Sequence, residues 1–125
     1  MPLVIDWVTI DSPHPRGLAD FWRRALDYEE IEADDDEVLI GPRDGSRRRL
    51  LFFKVDDPKR GKNRLHLDLR PADRDAEVAR LVGLGATTVD IGQDDVAWVV
   101  MADPDGNEFC VLRALRPEEN VRWGD

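Results

Sequence analysis

The chain has one cysteine, Cys110, in 125 residues. A single thiol cannot build an internal disulfide framework, so the sequence suits a reducing compartment and is expected in the cytoplasm. Long apolar runs are missing as well. No stretch approaches the ~20 residues a membrane helix needs. The opening Met1-Pro2-Leu3-Val4-Ile5-Asp6 also lacks the basic-then-apolar order of a secretory signal, so no membrane partner is expected. Positive charge is in deficit: 18 Lys and Arg stand against 27 Asp and Glu, a formal net charge of −9. A field of that sign repels phosphate backbones and argues against nucleic acid as a partner. What remains is globular material, 42 % hydrophobic and 36 % charged, which excludes a disordered chain. The length suits one domain.

The pattern along the chain occurs twice. Residues 3–10 alternate and are β-branched, a strand. Ser12-Pro13-His14-Pro15 breaks it and opens a helix, with Pro15 suited to the first turn. Leu18, Phe21, Trp22, Ala25 and Leu26 fall at helical spacing on one face. Strands are expected near 29–32, 38–40 and 49–55, with Asp44-Gly45 as a hairpin signal. The second half repeats the order. Residues 64–70 read as a strand, with Leu65, Leu67 and Leu69 on one face and His66 and Asp68 on the other. Ala72-Asp73 starts a helix with Val78, Leu81 and Val82 as its apolar face and Gly85 as its cap. Strands follow near 87–91, 96–101 and 108–115, and Asp103-Pro104-Asp105-Gly106 echoes Pro42-Arg43-Asp44-Gly45. The fold class is α+β: two tandem βαβββ modules, about 3–56 and 63–115, forming a curved mixed sheet around a cavity. They make one domain over 1–115, with a polar linker at 56–62 and a surface tail at 116–125 that Trp123 would pin.

Three segments carry a family resemblance. They are Leu18-Ala19-Asp20-Phe21-Trp22, Asn63-Arg64-Leu65-His66-Leu67-Asp68-Leu69, and Asp103-Pro104-Asp105-Gly106-Asn107-Glu108-Phe109. On these, the chain resembles the vicinal oxygen chelate superfamily over about 3–115. Glyoxalase I, bleomycin-resistance proteins and extradiol dioxygenases belong to it, and the nearest match is its glyoxalase-like domain. The fold hosts several chemistries, so function has to be read from the site. The resemblance implies a homodimer, with modules pairing within or between chains. It also implies a divalent metal held by two ligands from each module, polarising a bidentate oxygen substrate. Here Trp7 stands where the first ligand is expected, and Phe53 is the nearest match to the second. His66 keeps the third position and Cys110 takes the fourth. Set against the family pattern the metal site reads as degenerate, so no cofactor is expected, although a divalent metal stays in view.

Each of these residues has a sharp reading and a plain one. His66 is a ligand or a general base oriented by Asp68, or else a histidine hydrogen-bonded inside a cavity. Cys110 is a ligand or nucleophile, or a buried small hydrophobe. Trp7 and Trp98 are walls for a flat ligand, or core; Trp22 reads as core. Glu108, two residues from Cys110, is a spare carboxylate near the cavity or a solvated one. Arg47-Arg48-Arg49 binds an anion or pairs with the acidic run Asp34-Asp35-Asp36-Glu37. His14 reads as loop, and the Asp-Gly pairs as turns. The leading expectation is a glyoxalase-like protein that binds an apolar or aromatic small molecule between the modules, lined by Trp7, Phe53, His66, Trp98, Glu108 and Cys110. The alternative is a metal-dependent lyase, isomerase or dioxygenase using His66 with Cys110 or Glu108. A metal-free enzyme with His66 as base is the third reading.

Overall fold

The computed structural model describes residues 2–89 and 98–119. The chain gathers into two compact units, Met1–Arg60 and Gly61–Asp125.

Unit 1 comprises β1 (Trp7–Ser12), α1 (Pro15–Leu26), β2 (Glu29–Ala33), β3 (Glu37–Gly41) and β4 (Arg49–Lys54). The strands form one sheet in the order β1-β4-β3-β2. β1 runs parallel to β4, and the other pairs are antiparallel. The helix begins where proline allows it: Pro15 gives up an amide that has no partner in a first turn. His14 is more than loop, since its carbonyl accepts the Leu18 N–H (3.0 Å) and its own N–H donates to Ser12 Oγ (2.9 Å). The helix stops at Asp27, in the left-handed region at φ 54°, whose N–H turns back to the Arg23 and Arg24 carbonyls. Leu18, Ala19, Phe21 and Trp22 are buried, and so are Val38, Ile40, Leu50 and Phe52. These last four alternate along β3 and β4, so each strand gives every second side chain to the helix layer. Burying a side chain such as Phe52 stabilises by about 1.5–3 kcal/mol relative to leaving it exposed.

Unit 2 comprises β5 (Asp68–Leu69), α2 (Arg74–Leu84), β6 (Thr87–Thr88), β7 (Val99–Ala102), β8 (Glu108–Val111) and a 3₁₀ turn at Pro117–Glu119. Its strand order, β5-β8-β7-β6, is that of unit 1 with each strand replaced by its counterpart. β5 is again parallel to the last strand. The protein is therefore α+β, two four-stranded mixed sheets with a helix each. Asp73 caps α2 by accepting the Ala76 N–H (3.1 Å), and Gly85 ends it at φ 121°. The Asp-Gly echo is structural: Gly45 N–H donates to the Pro42 carbonyl (3.1 Å) as Gly106 N–H does to Asp103 (2.8 Å). The Asp103 carboxylate, almost wholly buried, also collects the N–H groups of Asp105 and Asn107.

Several expectations need correction. β1 starts at Trp7 rather than residue 3, because β4, its partner, starts at Arg49. Leu3, Val4 and Ile5 are exposed, and so is Val8. β5 spans only Asp68–Leu69 instead of 64–70, and Leu65 is exposed. β8 ends at Val111 rather than 115. On α2 only Leu81 is fully buried, while Val82 is exposed. Parts of the strands expected at 87–91 and 96–101 lie outside the described residues, as does Trp123.

Candidate functional site

Strand alternation leaves each sheet a second face, turned away from its helix. In unit 1 the register composes that face in rows. Trp7 sits beside Arg49, Thr9 beside Leu51, and Asp11 beside Phe53. The rows continue across β3, with Leu39 beside Leu51 and Glu37 beside Phe53, and on to β2 with Glu32 beside Leu39. Trp7 and Phe53 both stand on this open face, 38 % and 41 % exposed. The Arg49 guanidinium lies 5.5 Å from the Trp7 ring centroid, a cation–π arrangement. Its stem passes over Gly41, where a Cβ would come within 2.8 Å of Arg49 Cγ and of Ile31 Cδ1. Glycine at 41 is what lets the arginine lie flat.

Arg49 and Arg47 do not pair with the acidic run Asp34–Glu37, contrary to expectation. Both bond the Asp6 carboxylate, Arg47 Nη1 at 2.9 Å and Arg49 through Nη2. Asp34 instead organises its own turn, accepting the N–H groups of Asp36 (2.8 Å) and Glu37 (3.0 Å). Next to it a pocket of about 340 Å³ opens among Trp7, Leu39, Leu51, Glu32, Asp34 and Glu37. That size lies within the range of small-molecule sites.

In unit 2 the corresponding face holds His66, Asp68 and Cys110. Asp68 is the register partner of Cys110 in the parallel ladder, which the Cys110 N–H to Leu67 carbonyl bond (2.9 Å) continues. His66 Nδ1 is 3.1 Å from Asp68 Oδ1. The ligating atoms of His66, Asp68 and Cys110 all lie within 4.8 Å of one another. His66 is exposed rather than enclosed, and Cys110 is half-buried and bonded to Asp68 rather than a plain hydrophobe. Burial first, then the Asp68 carboxylate, pushes the Cys110 thiol up from its ordinary value. Glu108 is neither spare nor solvated: its Oε1 accepts the Asn63 N–H (3.2 Å) and its carbonyl the Asn63 amide (3.3 Å). Trp98 stands just before β7, 41 % exposed.

These residues test the metal that the resemblance implies. Trp7 and Phe53 offer no donor, so the two ligands expected from unit 1 do not exist at those positions. His66, Asp68 and Cys110 do fit by chemistry, since imidazole, carboxylate and thiolate together suit a borderline ion such as zinc. Binding would have to displace the Cys110 proton and the bond to Asp68. Asp68 as a donor was missed in the sequence, where it figured only as a support for His66. Its i, i+2 spacing from His66 was the available signal.

Two βαβββ units of the same strand order, each with an open sheet face carrying aromatic or ligating side chains, define the class of fold. The chain belongs to the glyoxalase-like domain family, whose model matches residues 7–112, and so to the vicinal oxygen chelate superfamily. Solved structures agree on the fold. A glyoxalase/bleomycin resistance protein/dioxygenase family enzyme from Burkholderia phytofirmans PsJN is similar with TM-score 0.74 and 15 % identity, over 90 % of this chain and 100 % of that one. A mutant of the fosfomycin resistance protein FosX from Listeria monocytogenes, complexed with Mn(II) and dihydroxypropylphosphonic acid, is similar with TM-score 0.71 and 14 % identity, over 99 % and 100 %. TnmS3, an antibiotic binding protein from Streptomyces sp. CB03234, gives TM-score 0.63 and 19 % identity, over 92 % and 99 %. No curated protein is significantly similar in sequence.

Proposed function

We propose that this chain is a small-molecule-binding member of the glyoxalase-like family, holding an apolar or aromatic ligand without a metal. The observation that carries this reading is the open face of unit 1. Trp7 and Phe53 occupy the positions where the resemblance expects ligands, and a pocket of about 340 Å³ opens beside Trp7. An indole cannot donate to a divalent cation, but it offers a large rigid surface to a flat molecule. Trp98, His66, Glu108 and Cys110 are proposed, separately, as the ligand-facing residues of unit 2, and a cytoplasmic homodimer is the proposed setting. A screen of aromatic and hydrophobic small molecules, read by melting temperature and tryptophan fluorescence, tests it. At ~100 times its dissociation constant a ligand adds about 2.7 kcal/mol of stability, a shift easily seen. A screen without a single shift contradicts the reading.

A second reading is favoured by one specific observation, the convergence of His66, Asp68 and Cys110. In it these three side chains hold a divalent ion, and the protein is a metal-dependent lyase, isomerase or dioxygenase. The ion would act as a Lewis acid on a substrate oxygen. His66 would then be a ligand and not a base, because its Nδ1 already faces Asp68 and one nitrogen remains. Elemental analysis separates the readings: one metal per chain that survives dialysis against a mild chelator, and is lost in Asp68→Ala, favours the second.

A further inference from the structure

We infer that the open face of unit 1 selects a ligand with a cationic nitrogen on a flat apolar body, an aryl-alkyl ammonium. The inference rests on the small-molecule-binding reading and adds the ligand's charge. The pocket is two-sided in character. Leu39, nearly buried, and Leu51, half-buried, form an apolar floor, and the Trp7 indole forms a wall. Glu32, Asp34 and Glu37 bring three carboxylates to the same space, and no lysine, arginine or histidine lines it.

These carboxylates are not spent on neighbouring cations. Asp34 is fixed by the backbone N–H groups of Asp36 and Glu37, which orient it without neutralising it. Among the described residues Glu32 and Glu37 meet no basic side chain. Arg16 reaches the Asp34 segment only at the main-chain carbonyl (3.2 Å). Arg49, whose guanidinium lies 5.5 Å from the Trp7 ring centroid, is turned to Asp6. Its charge is met there by a carboxylate that is not part of the pocket lining, which leaves Glu32, Asp34 and Glu37 to set the sign of the space. A carboxylate ligand would enter a space holding three negative charges. An ammonium would find ion-pair partners at the rim while its aromatic body covered Leu39 and Leu51.

The test uses three naphthalene probes of one shape: naphthylmethyl-trimethylammonium, naphthylmethanol and naphthoate. Each is titrated by calorimetry into the full chain, the E32Q/E37Q double variant and, should that variant lose its circular dichroism, the E32Q single variant, whose side chain is exposed. The cation is expected to bind about tenfold tighter than the neutral probe, with quenching of tryptophan fluorescence. That preference should shrink to about threefold or less in the variant and in about 0.5 M salt, where exposed charges are screened. Neutral or anionic probe binding as tightly as the cation overturns the inference while leaving the small-molecule reading intact. A cation preference that the substitution does not reduce also overturns it, because the cation would then answer to the net charge and not to this pocket. If no probe binds, the inference falls, and the broader screen decides the reading beneath it.

Discussion

Asp68 stands directly opposite Cys110 in the parallel ladder of unit 2, and its carboxylate holds the thiol's hydrogen bond. The same carboxylate lies 3.1 Å from His66 Nδ1, so one acidic group governs both neighbours. Burial, and after it this carboxylate, raises the thiol's pKa, so the protonated form is favoured in the fold. A group raised above its unfolded value contributes stability that is present below that value and lost as pH rises. Iodoacetamide alkylation of Cys110 should therefore be slow at neutral pH and speed up only above the ordinary thiol range. Asp68→Asn removes the charge, and the midpoint of the alkylation profile should move down. An unchanged midpoint would mean that Asp68 does not act on the thiol.

Adjacent residues on β4 should respond very differently to truncation. Phe52 is wholly buried toward α1, whereas Phe53 is 41 % exposed on the open face. Phe52→Ala is expected to cost about 3–5 kcal/mol, the usual loss for a buried aromatic. Phe53→Ala should cost less than about 1 kcal/mol, as an exposed position does. Urea melts of both variants check the contrast. Similar losses would show that the two faces are not distinguished as described.

How much of this was legible in the sequence depends on what each feature needs. Pro15, Gly45, Gly85 and Gly106 act through their own backbones, and the helix start, the helix cap and both turns fall where those residues stand. Strand ends depend on the partner instead. Leu3-Val4-Ile5 is as apolar and β-branched as any strand, yet no residue of β4 lies opposite it, so pairing begins at Trp7. Leu65 is misread for the same reason, since β5 is only as long as its ladder with β8. Charge partners are harder still. Arg47 and Arg49 lie 41 and 43 residues from Asp6 and meet it only because β1 and β4 are neighbours. Motifs single out Trp7, Phe53, His66 and Cys110, but Asp68 as the third converging group required the register.

Beyond β8, Arg113 makes two hydrogen bonds to the Glu119 carboxylate (2.9 and 2.7 Å) and anchors the 3₁₀ turn. With the Arg116 N–H as a further donor, they pull the Glu119 pKa down from 4.5 to about 2. A lowered carboxylate contributes stability that is present above its unfolded value and lost as pH falls toward the folded one, here between about 4.5 and about 2. Carbon-detected NMR titration should find Glu119 charged at pH 3.5 in the parent chain. In Arg113→Ala it should titrate within the usual glutamate range. A normal Glu119 in the parent chain would contradict the pairing.

The central claim, ligand binding against Trp7 without a metal, is tested most directly by one titration. The best ligand of the small-molecule screen is titrated into the chain with and without excess EDTA, and into Trp7→Ala, with tryptophan fluorescence and calorimetry as readouts. The account predicts the same dissociation constant in both buffers and a loss of about tenfold or more in the variant, the scale of a removed aromatic contact. Binding abolished by EDTA and unaffected by Trp7→Ala would contradict it and move the site to His66, Asp68 and Cys110.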